Sequence, residues 1–456
     1  MAKQRAEDTS CTKTQSLVAK QIRLDRDLTD LTRIPERIRN GEAVVSIIGV
    51  GRVGLPLAVV LARSGLHVIG VDTDKRRVAM ISEGRMPFHY PEIEEWLKAV
   101  VLNRSLIASD SAKESIERSD VVVVTVGTPT GERHQLDYSQ LHAAFREVGS
   151  ANLRNKAVIA RSTAAPGTLQ KIILPLLVAS TGLKPEVDFA LAACPERILE
   201  GRAHRELYEL PEIIGGIGPN SNTIASELFR KISQHKRILI STPTGAELAK
   251  LFTNIYRYVN FALANEFAVW TEIYGENARD VIRVANEDYQ RSRIPQPGFA
   301  GGPCLGKDGF LLDNETTFSS IVSVAWKLNE AVPQHIATAL MKELGNLYGR
   351  RIAVLGLAFK ADSDDVRLSP SQKLIEILRA YGAQVLVHDP NVPETLGLTE
   401  VLHEPEVVIL ATNHSAFRKL GRQIDQSGCK VIYDVWGALS RTDIVKAKYL
   451  EFGSAN

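Results

Sequence analysis

The order of apolar and polar positions near residue 44 predicts a strand, a glycine turn, a helix and a second strand. The β-branched run 44–48 ends at Gly49, and apolar residues then recur at helical spacing from Leu57 to Leu61. A second apolar run, 67–71, ends at Asp72. Runs of this length are typical of buried strands, and the helix between them completes a βαβ unit.

The same alternation continues along the chain and then recurs. Further strands are predicted at 121–126 and 157–160, which favours a parallel sheet covered by helices on both faces. A long apolar helix is predicted over 246–273, without proline. Beyond it the opening pattern returns in a weaker form, with predicted strands at 351–356, 382–389, 406–412 and 430–434.

These patterns predict the α/β class, with two doubly wound Rossmann-like domains joined by a long central helix and a helical middle domain. The expected divisions are an N-terminal extension at 1–41, a first Rossmann-like domain at 42–240, a central helical dimerisation domain at 241–345, and a second Rossmann-like domain at 346–456.

Composition narrows the class of protein. The 456 residues are 44% hydrophobic and 24% charged, as expected for a globular chain, and 55 basic against 53 acidic residues argue against nucleic acid as a partner. The four cysteines are scattered, which indicates neither a disulfide framework nor a zinc site, and we expect no metal. No apolar run reaches the roughly 20 residues of a membrane helix, so we expect a cytoplasmic protein without a membrane partner.

The first chemical motif is Gly49-Val-Gly51-Arg52-Val53-Gly54, which fits GxGxxG between a strand and a helix. In such a turn the glycines permit a tight bend, close approach of a pyrophosphate and close packing of the helix on the strand. This context predicts a dinucleotide site rather than a glycine turn needed only for packing.

Asp72, at the end of the second strand, is placed to bind the adenosine ribose, which favours NAD over NADP. The cations at 75–77 are the counter-argument, because a cation there can accept a 2′-phosphate. We expect NAD, with Arg77 at the same end of the cofactor.

A second motif surrounds Cys304, which follows the glycine-rich loop 297–302 and precedes Lys307 and Asp308. A neighbouring cation lowers the pKa of a thiol, and the thiolate is the nucleophile. The spacing is also compatible with a small core cysteine.

Three more groups of residues carry candidate chemistry. Lys250, Asn254 and Arg257 share one face of the central helix, where a solvated stripe is the alternative. The segment 161–163 stands at the end of a predicted strand, where ligands gather in open α/β sheets. Glu196, in Cys-Pro-Glu-Arg, could be structural, a salt-bridge partner or a base.

Taken in order, the motifs GVGRVGLPLA, GTPT, RSTAAPGT, CPER, ELAKLFTN, GGPCLGKD and GLAFKADSDDVR resemble the UDP-glucose/GDP-mannose dehydrogenase superfamily of nucleotide-sugar 6-dehydrogenases. The resemblance covers about residues 42–440. It implies oxidation of a sugar CH₂OH to a carboxylate with two molecules of NAD and no metal. It also implies that the second Rossmann-like domain binds the UDP part of the substrate.

The resemblance assigns roles by motif. Cys304 would form a thiohemiacetal and then a thioester. Lys250 and Asp308 would serve proton transfer and oxyanion stabilisation, with Asn254 beside the lysine. Glu196 with Thr163 would serve hydrolysis of the thioester. The cofactor-binding set is Gly49, Gly51, Arg52, Val53, Gly54, Asp72, Arg77, Thr128 and Thr163. The substrate-binding set is Arg197, Ile198, Lys250, Asn254, Arg257, Arg291, Gly301, Lys360 and Arg367.

The substrate branch follows from the residues after Glu196. Arg197 stands where members acting on UDP-glucose carry an aromatic residue, so the chain resembles the branch that oxidises UDP-N-acetylhexosamines, UDP-N-acetyl-mannosamine first. UDP-N-acetyl-glucosamine and UDP-glucose are the alternatives. Two departures from the family pattern are Gly306, in place of proline, and Trp436, in place of arginine.

Two other functions are compatible with parts of the pattern. A two-electron β-hydroxyacid dehydrogenase shares a Rossmann domain and a long helix but does not need Cys304. A non-catalytic regulator that binds NAD and a UDP-sugar would keep the glycine motif and Lys360 only. We expect the enzyme, as a homodimer in which Arg291 reaches the substrate of the neighbouring subunit.

Overall fold

The computed structural model describes residues 30–129, 137–313 and 320–455. Within these ranges no helix is both long and apolar enough to cross a membrane. The strands are β1 Val44–Ile48, β2 His67–Val71, β3 Leu106–Ser109, β4 Val121–Val124, β5 Lys156–Ala160, β6 Phe189–Ala193, β7 Glu212–Gly216, β8 Ile238–Ile240, β9 Arg351–Leu355, β10 Gln384–His388, β11 Val407–Leu410, β12 Val431–Asp434 and β13 Lys448–Glu451.

The α-helices among the described residues are α1 Ile34–Asn40, α2 Gly54–Arg63, α3 Lys75–Ser82, α4 Pro91–Leu102, α5 Ala112–Glu117, α6 Ser139–Ser150, α7 Leu174–Thr181, α8 Ala203–Glu209, α9 Pro219–Ile232, α10 Pro243–Tyr274, α11 Ala278–Asn286, α12 Leu305–Asp308, α13 Phe310–Asp313, α14 Ile321–Leu344, α15 Pro370–Ala380, α16 Leu398–Val401 and α17 Gly421–Gln426. Short 3₁₀ or π turns lie at Leu31–Arg33, Leu169–Ile173, Ser415–Phe417 and Arg441–Asp443.

The first sheet has eight strands in the order β3-β2-β1-β4-β5-β6-β7-β8. Strands β1, β4, β5, β6 and β7 are buried at every position, as expected for strands covered on both faces. The prediction of a parallel sheet is wrong at one pairing, because β7 runs antiparallel to β6. Because the two strands are antiparallel neighbours, the connection that contains α8 joins the end of β6 to the start of β7 at the same end of the sheet and needs no crossover.

Residues 31–40 belong to the first core. Leu31, Ile34 and Ile38 are buried in it, and Arg37 forms an ion pair of 3.0 Å with Asp120. We therefore propose that the first domain begins before Leu31 rather than after residue 41. Residues 1–29 of the expected extension lie outside the described residues.

The central helix α10 is four residues longer than the apolar pattern predicts. The side chain of Thr242 accepts a hydrogen bond from the Gly245 N–H at its start, and Gly275 ends it in the left-handed conformation, with φ 80°. Helix α14 packs against it, and the buried amides of Asn265 and Asn329 join the two helices at 2.9 Å. Its far side leaves large apolar residues exposed, among them Phe252, Tyr256, Leu263, Trp270 and Ile273.

The second sheet has five strands in the order β10-β9-β11-β12-β13, all parallel. Asp389 follows β10 at the position that Asp72 holds after β2. Its carboxylate accepts the N–H groups of Leu357 and Ala358 and contacts the buried His414 ring at 3.0 Å, and the pKa of Asp389 falls to about 2. The acid that could bind a ribose is thus used to hold the turn after β9.

The two Rossmann-like domains predicted from the sequence are confirmed.

Candidate active site

The turn after β1 has the geometry of a phosphate-binding loop. Gly49 has φ 94°, and a Cβ atom on Gly54 would collide with the Gly49 carbonyl oxygen. A Cβ atom on Gly51 would meet no atom within 4 Å. Val53, which precedes α2, places no side-chain acceptor on the free N–H groups of the helix. This open surface in front of a helix N-terminus fits the pyrophosphate of a dinucleotide.

Asp72 is oriented by two donors at the end of β2. Its carboxylate accepts a hydrogen bond from Arg77 at 2.8 Å and another from the Asp74 N–H at 3.0 Å. Arg77 is therefore paired with the acid that is predicted to select NAD, and it does not stand as a free cation for a 2′-phosphate. The placement of both residues at the adenosine end of NAD remains a prediction.

The loop before Cys304 is pressed onto the second Rossmann-like domain. Gly298 lies so close to the Trp436 ring that a Cβ atom would be 2.7 Å from it. Gly302, with φ 91°, faces the Phe359 ring, and its N–H donates to the Leu368 carbonyl at 3.0 Å. Trp436, a departure from the family pattern, thus serves as a packing surface for this loop.

Cys304 is exposed and directly precedes the short helix α12. Although the residue is accessible at the surface, the protein around the thiol partly desolvates it and raises its pKa. The Asp308 carboxylate raises the pKa further, and the charges of Lys250, Lys307 and Arg367 oppose this. Neighbouring cations thus lower the thiol pKa as expected, but they do not set its net direction in the free protein. Desolvation and one carboxylate outweigh three cations, so the thiol form is favoured.

Asp308 is fully buried and held from two sides. One carboxylate oxygen accepts a hydrogen bond from the Asn254 amide at 2.6 Å, and the other accepts one from Lys307 at 2.7 Å. The bond to Asn254 ties the cysteine loop to the central helix. A buried carboxylate needs such donors, because an unpaired charge would be costly.

Lys250 lies one helical turn before Asn254 and is also buried. Its charge favours the ionised forms of both Cys304 and Glu196. For Lys250 and Asn254 the alternative of a solvated stripe is wrong. Arg257, half-buried further along the same face, acts electrostatically on Lys360.

Glu196 is a buried salt-bridge partner. One oxygen contacts the Arg161 guanidinium at 2.6 and 2.8 Å, and the other accepts the N–H groups of Arg197 and Ile198. Burial alone would raise the pKa of Glu196, but Arg161 and the two N–H groups outweigh it and the pKa is lowered. The Arg197 side chain donates to the Pro211 carbonyl.

Two threonines lie at the carboxyl ends of neighbouring strands. The Thr128 hydroxyl donates to the Thr163 carbonyl at 2.9 Å, which joins the segments that follow β4 and β5. Thr130, the last residue of the Gly-Thr-Pro-Thr motif, lies outside the described residues.

Ion pairs connect the glycine loop to the second Rossmann-like domain. Arg52 contacts Glu200 and Asp364, each at 2.6 Å, and Asp365 at 3.7 Å. Lys360 donates to the Glu200 carbonyl. The side chains predicted for cofactor and for substrate therefore meet at one junction between domains.

Lys360 and Arg367 border this junction. Burial lowers the pKa of Lys360 to about 8, although Glu200 opposes the shift. Arg367 pairs with Asp365 at 2.6 Å and acts electrostatically on Cys304. Gly301 packs against Pro370, where a Cβ atom would collide.

One predicted residue lies outside this cluster in a single chain. Arg291 is exposed and stacks over the Tyr289 ring at 4.8 Å. Two residues without an assigned role in the sequence analysis, Glu200 and Asp364, bind Arg52 directly. The adjacent acids at 362–365 were a usable signal, but the partner could be found only from the fold. Among the described residues no three His, Cys, Asp or Glu side chains form a group that could hold a metal ion.

The fold brings a dinucleotide-type domain, the loop of Cys304 and a second Rossmann-like domain together, which is the arrangement of a dinucleotide-dependent oxidoreductase. Models of the UDP-glucose/GDP-mannose dehydrogenase family match the chain as an NAD-binding domain at 43–233, a central domain at 244–332 and a UDP-binding domain at 353–441. The chain belongs to this family.

The similar proteins agree with this assignment. The UDP-N-acetyl-D-mannosamine dehydrogenase of Pyrococcus horikoshii is 36% identical over 384 residues, which cover 82% of this chain and 90% of that protein. The NDP-N-acetyl-D-galactosaminuronic acid dehydrogenase of Ralstonia nicotianae is 31% identical, over 87% of this chain and 96% of that protein.

A solved structure extends the agreement to the fold. The UDP-D-ManNAc dehydrogenase from Pyrococcus horikoshii has a TM-score of 0.84 and 34% identity, over 90% of this chain and 99% of that one. The chain is thus an NAD-dependent nucleotide-sugar dehydrogenase with a UDP-sugar as substrate.

Proposed function

We propose that the enzyme oxidises a UDP-N-acetylhexosamine at C6 to the uronate, with UDP-N-acetyl-mannosamine as the preferred substrate. The overall change removes four electrons: one CH₂OH group, one water and two NAD⁺ give a carboxylate, two NADH and three protons. The observation that carries the proposal is the 2.6 Å contact between Asn254 and Asp308, because it joins the loop of Cys304 to the helix that bears Lys250.

NAD, when bound, accepts a hydride in each of the two oxidation steps. The glycine loop of Gly49, Gly51 and Gly54 would hold its pyrophosphate, and Asp72 with Arg77 would hold the adenosine ribose. Arg52 and Val53 border that loop, and Thr128 with Thr163 closes the strand ends beside it.

The chain's own residues organise the chemistry at C6. Lys250 and the pair of Asn254 and Asp308 would orient the reacting oxygen and move its proton. Cys304 would add to the aldehyde carbon to form a thiohemiacetal, whose oxidation gives a thioester. Because the thiol pKa is raised in the free protein, the proton of Cys304 must leave when the aldehyde is attacked.

The thioester would then be hydrolysed. By motif match, Glu196 is the carboxylate that would serve this step. Lys250 acts electrostatically on both Glu196 and Cys304. Thr163 would help to position the attacking water. Water adds to the carbonyl, the C–S bond breaks, and the sulfur takes up a proton.

The substrate would lie at the junction between domains. Lys360 and Arg257 are cations close to each other, as a diphosphate requires. Arg367 and Gly301 border the same loop, and Arg197 and Ile198 contribute the N–H groups that hold Glu196.

The choice of sugar is supported by Arg197 and by the Pyrococcus horikoshii relative, whose name states UDP-N-acetyl-D-mannosamine. The test is to measure NADH formed per UDP-sugar across UDP-N-acetyl-mannosamine, UDP-N-acetyl-glucosamine and UDP-glucose. Two NADH per uronate, with the highest kcat/KM for the first, are expected. One NADH per turnover would contradict the thioester mechanism. A higher kcat/KM for another UDP-sugar would identify that sugar as the preferred substrate instead.

We also propose a cytoplasmic homodimer. The exposed apolar face of α10, which includes Phe252, Tyr256 and Trp270, suits a second copy of the chain as its cover. Arg291 lies outside the single-chain site, so its predicted role in substrate binding requires the neighbouring subunit.

A further inference from the structure

Arg161 is a buried cation in the segment 161–163, where the sequence predicts that ligands gather. It follows β5, and its side chain is 1% exposed. Two of its nitrogens contact one oxygen of Glu196, and the third contacts Glu212 at 2.7 Å. The guanidinium also lies over the Phe229 ring, 4.8 Å from its centre. An arginine in such a position has one available orientation.

Glu196 is correspondingly restrained. The N–H groups of Arg197 and Ile198 donate to one oxygen at 2.6 and 2.7 Å, while Arg161 occupies the other. Four donors leave the carboxylate no freedom to rotate about its terminal bond. Its side chain remains 10% exposed, so one edge of it is still accessible.

Glu212 shares the same guanidinium from the opposite side. Burial raises the pKa of Glu212, and so does the charge of Glu196, whereas Arg161 lowers it. Lys236 lies 3.8 Å from Glu212 and completes a group of two buried cations and two buried carboxylates. Because their environments differ, Glu212 takes up a proton first as the pH falls, and Glu196 keeps its charge.

We propose that Arg161, balanced by Glu212, is a positioning residue for thioester hydrolysis, which holds the Glu196 carboxylate in one orientation toward the acyl group on Cys304. The proposal rests on the proposed function. In the hydrolysis step, Glu196 accepts a proton from the water that attacks the thioester carbonyl. The C–S bond then breaks, the sulfur leaves with the bonding electrons and is protonated, and no oxidant is consumed.

Charged groups from several elements surround Glu196. Among the described residues they include Arg161 after β5, Arg197 beside it, Glu212 on β7, Lys236 before β8 and Lys250 on α10. Arg161 contacts the carboxylate directly through its side chain. Its removal leaves Glu196 facing Glu212 without the cation between them, and this raises the pKa of Glu196.

The hydrolysis rate depends on pH through the ionisation of Glu196. Hydrolysis requires the ionised form of Glu196, so its rate is constant above the Glu196 pKa and falls as the pH drops through it. In the unmodified protein the lowered pKa keeps the rate flat into the acidic range. Arg161→Gln moves the fall upward by about one pH unit or more.

The experiment follows decay of the acyl-enzyme by rapid quench and intact mass as a function of pH. Cys304 is already acylated in this measurement, so its own pKa does not enter. Arg161→Gln is expected to slow the decay at neutral pH by roughly 10- to 100-fold, because a misplaced group loses about that factor. The expected result also includes accumulation of the acyl-enzyme mass during turnover.

Three further variants separate positioning from folding. Glu212→Gln mimics the protonated acid. In this variant the pH at which the decay rate falls is expected to be the same as in the unmodified protein or lower. The double variant Arg161→Gln/Glu212→Gln should reverse part of the upward shift in the pH at which the rate falls. If Arg161→Gln alone does not fold, the double variant is measured in its place. Arg161→Lys keeps the charge without the forked geometry, so it should restore the pH profile more than the rate.

Arg37→Gln is the matched control, because it breaks an arginine–aspartate pair in the same domain, away from the site. Its acyl-enzyme decay should match that of the unmodified protein. Decay at the unmodified rate and pH profile in Arg161→Gln and in the double variant would overturn the positioning role. The proposed function would instead be overturned if the unmodified protein formed no NADH with any UDP-sugar. That result does not involve the Arg161 variants, so the two failures are distinguishable.

Discussion

The side-chain amide of Asn254 donates to the Asp308 carboxylate across 2.6 Å, and both groups are buried. This bond connects the central helix to the segment that begins at Cys304. The other Asp308 oxygen is held by Lys307, so the amide is one of two side-chain donors on a fully buried acid. The position and the charge of Asp308 therefore depend on both Asn254 and Lys307.

Asn254→Ala is expected to lower the free energy of unfolding by about 1.5–3 kcal/mol, since it leaves a buried charged group without one of its donors. Turnover should fall as well, because the Cys304 loop loses its tie to α10. Urea denaturation and kcat measure the two effects. Thr253→Ala, an exposed change on the same helix, is the control. An Asn254→Ala protein of unchanged stability and kcat would contradict this account.

Asp308→Asn is expected to lower the pKa of the Cys304 thiol, because it removes a carboxylate that disfavours the thiolate. The rate of alkylation by iodoacetamide follows the thiolate and rises as the pH passes through the thiol pKa. The midpoint of that rise should therefore move to lower pH in Asp308→Asn. Cys304→Ser gives the background rate, and Asp280→Asn on the surface is the control. A midpoint unchanged or moved upward would show that Asp308 does not govern the thiol.

Cys304→Ser should abolish formation of the uronate while NAD and UDP binding persist, because a serine hydroxyl is far less acidic than a thiol. Calorimetric titration with NAD and with UDP checks that both sites remain. The thioester mechanism would be refuted by uronate production from this variant at the rate of the unmodified enzyme.

The sequence predicted the elements of the fold well where the apolar pattern was continuous. Strands β1 and β2 have the predicted bounds, and α10 extends the predicted helix by three residues at one end and one at the other. The antiparallel strand β7 was missed, because strand direction is set by the connection and not by the apolar run itself. The apolar pattern along the chain therefore predicts strands and helices better than it predicts how the strands pair.

The site divides in a similar way. The family resemblance placed Lys250, Asn254 and Asp308 in one site, and the structure brings the last two into direct contact. The pKa of Cys304 could not be predicted from neighbours in the chain, because the dominant cause is desolvation by the folded protein. The partners of Arg52 are 148 and 312 positions away in the sequence, so their contacts arise only from the packing of domains.

Asp72→Ala is expected to weaken NAD binding by about 1.5–3 kcal/mol, the usual contribution of hydrogen bonds to a charged group. The change also removes the shorter of two ion pairs of Arg77, at 2.8 Å, and leaves its contact of 3.6 Å with Asp74. A cation released from Asp72 can accept a 2′-phosphate, so NADP turnover should improve relative to NAD. Kd and kcat/KM for both cofactors test this, with Asp110→Ala as the exposed control. Better turnover of NADP than of NAD by the unmodified enzyme would show that the cations at 75–77 select the cofactor.

The assembly of the site can be tested with two inactive proteins. Arg291 is exposed in one chain, and the apolar face of α10 is uncovered in it, so we predict a homodimer in which Arg291 completes the neighbouring site. A heterodimer of Arg291→Ala with Cys304→Ser would contain one intact site, which combines Cys304 of one chain with Arg291 of the other. It would also contain one site with both defects.

Equimolar mixing after subunit exchange should therefore restore about one quarter of the sites, if the chains pair at random in two-fold dimers. Native mass spectrometry confirms exchange before activity is measured. Replacing Arg291→Ala by Arg293→Ala in the same mixture tests the neighbouring arginine as a rival. If Arg291 acted within its own chain, each heterodimer would hold one site lacking the arginine and one lacking the thiol. Exchange without recovered activity would then be the result, and the site would belong to a single chain.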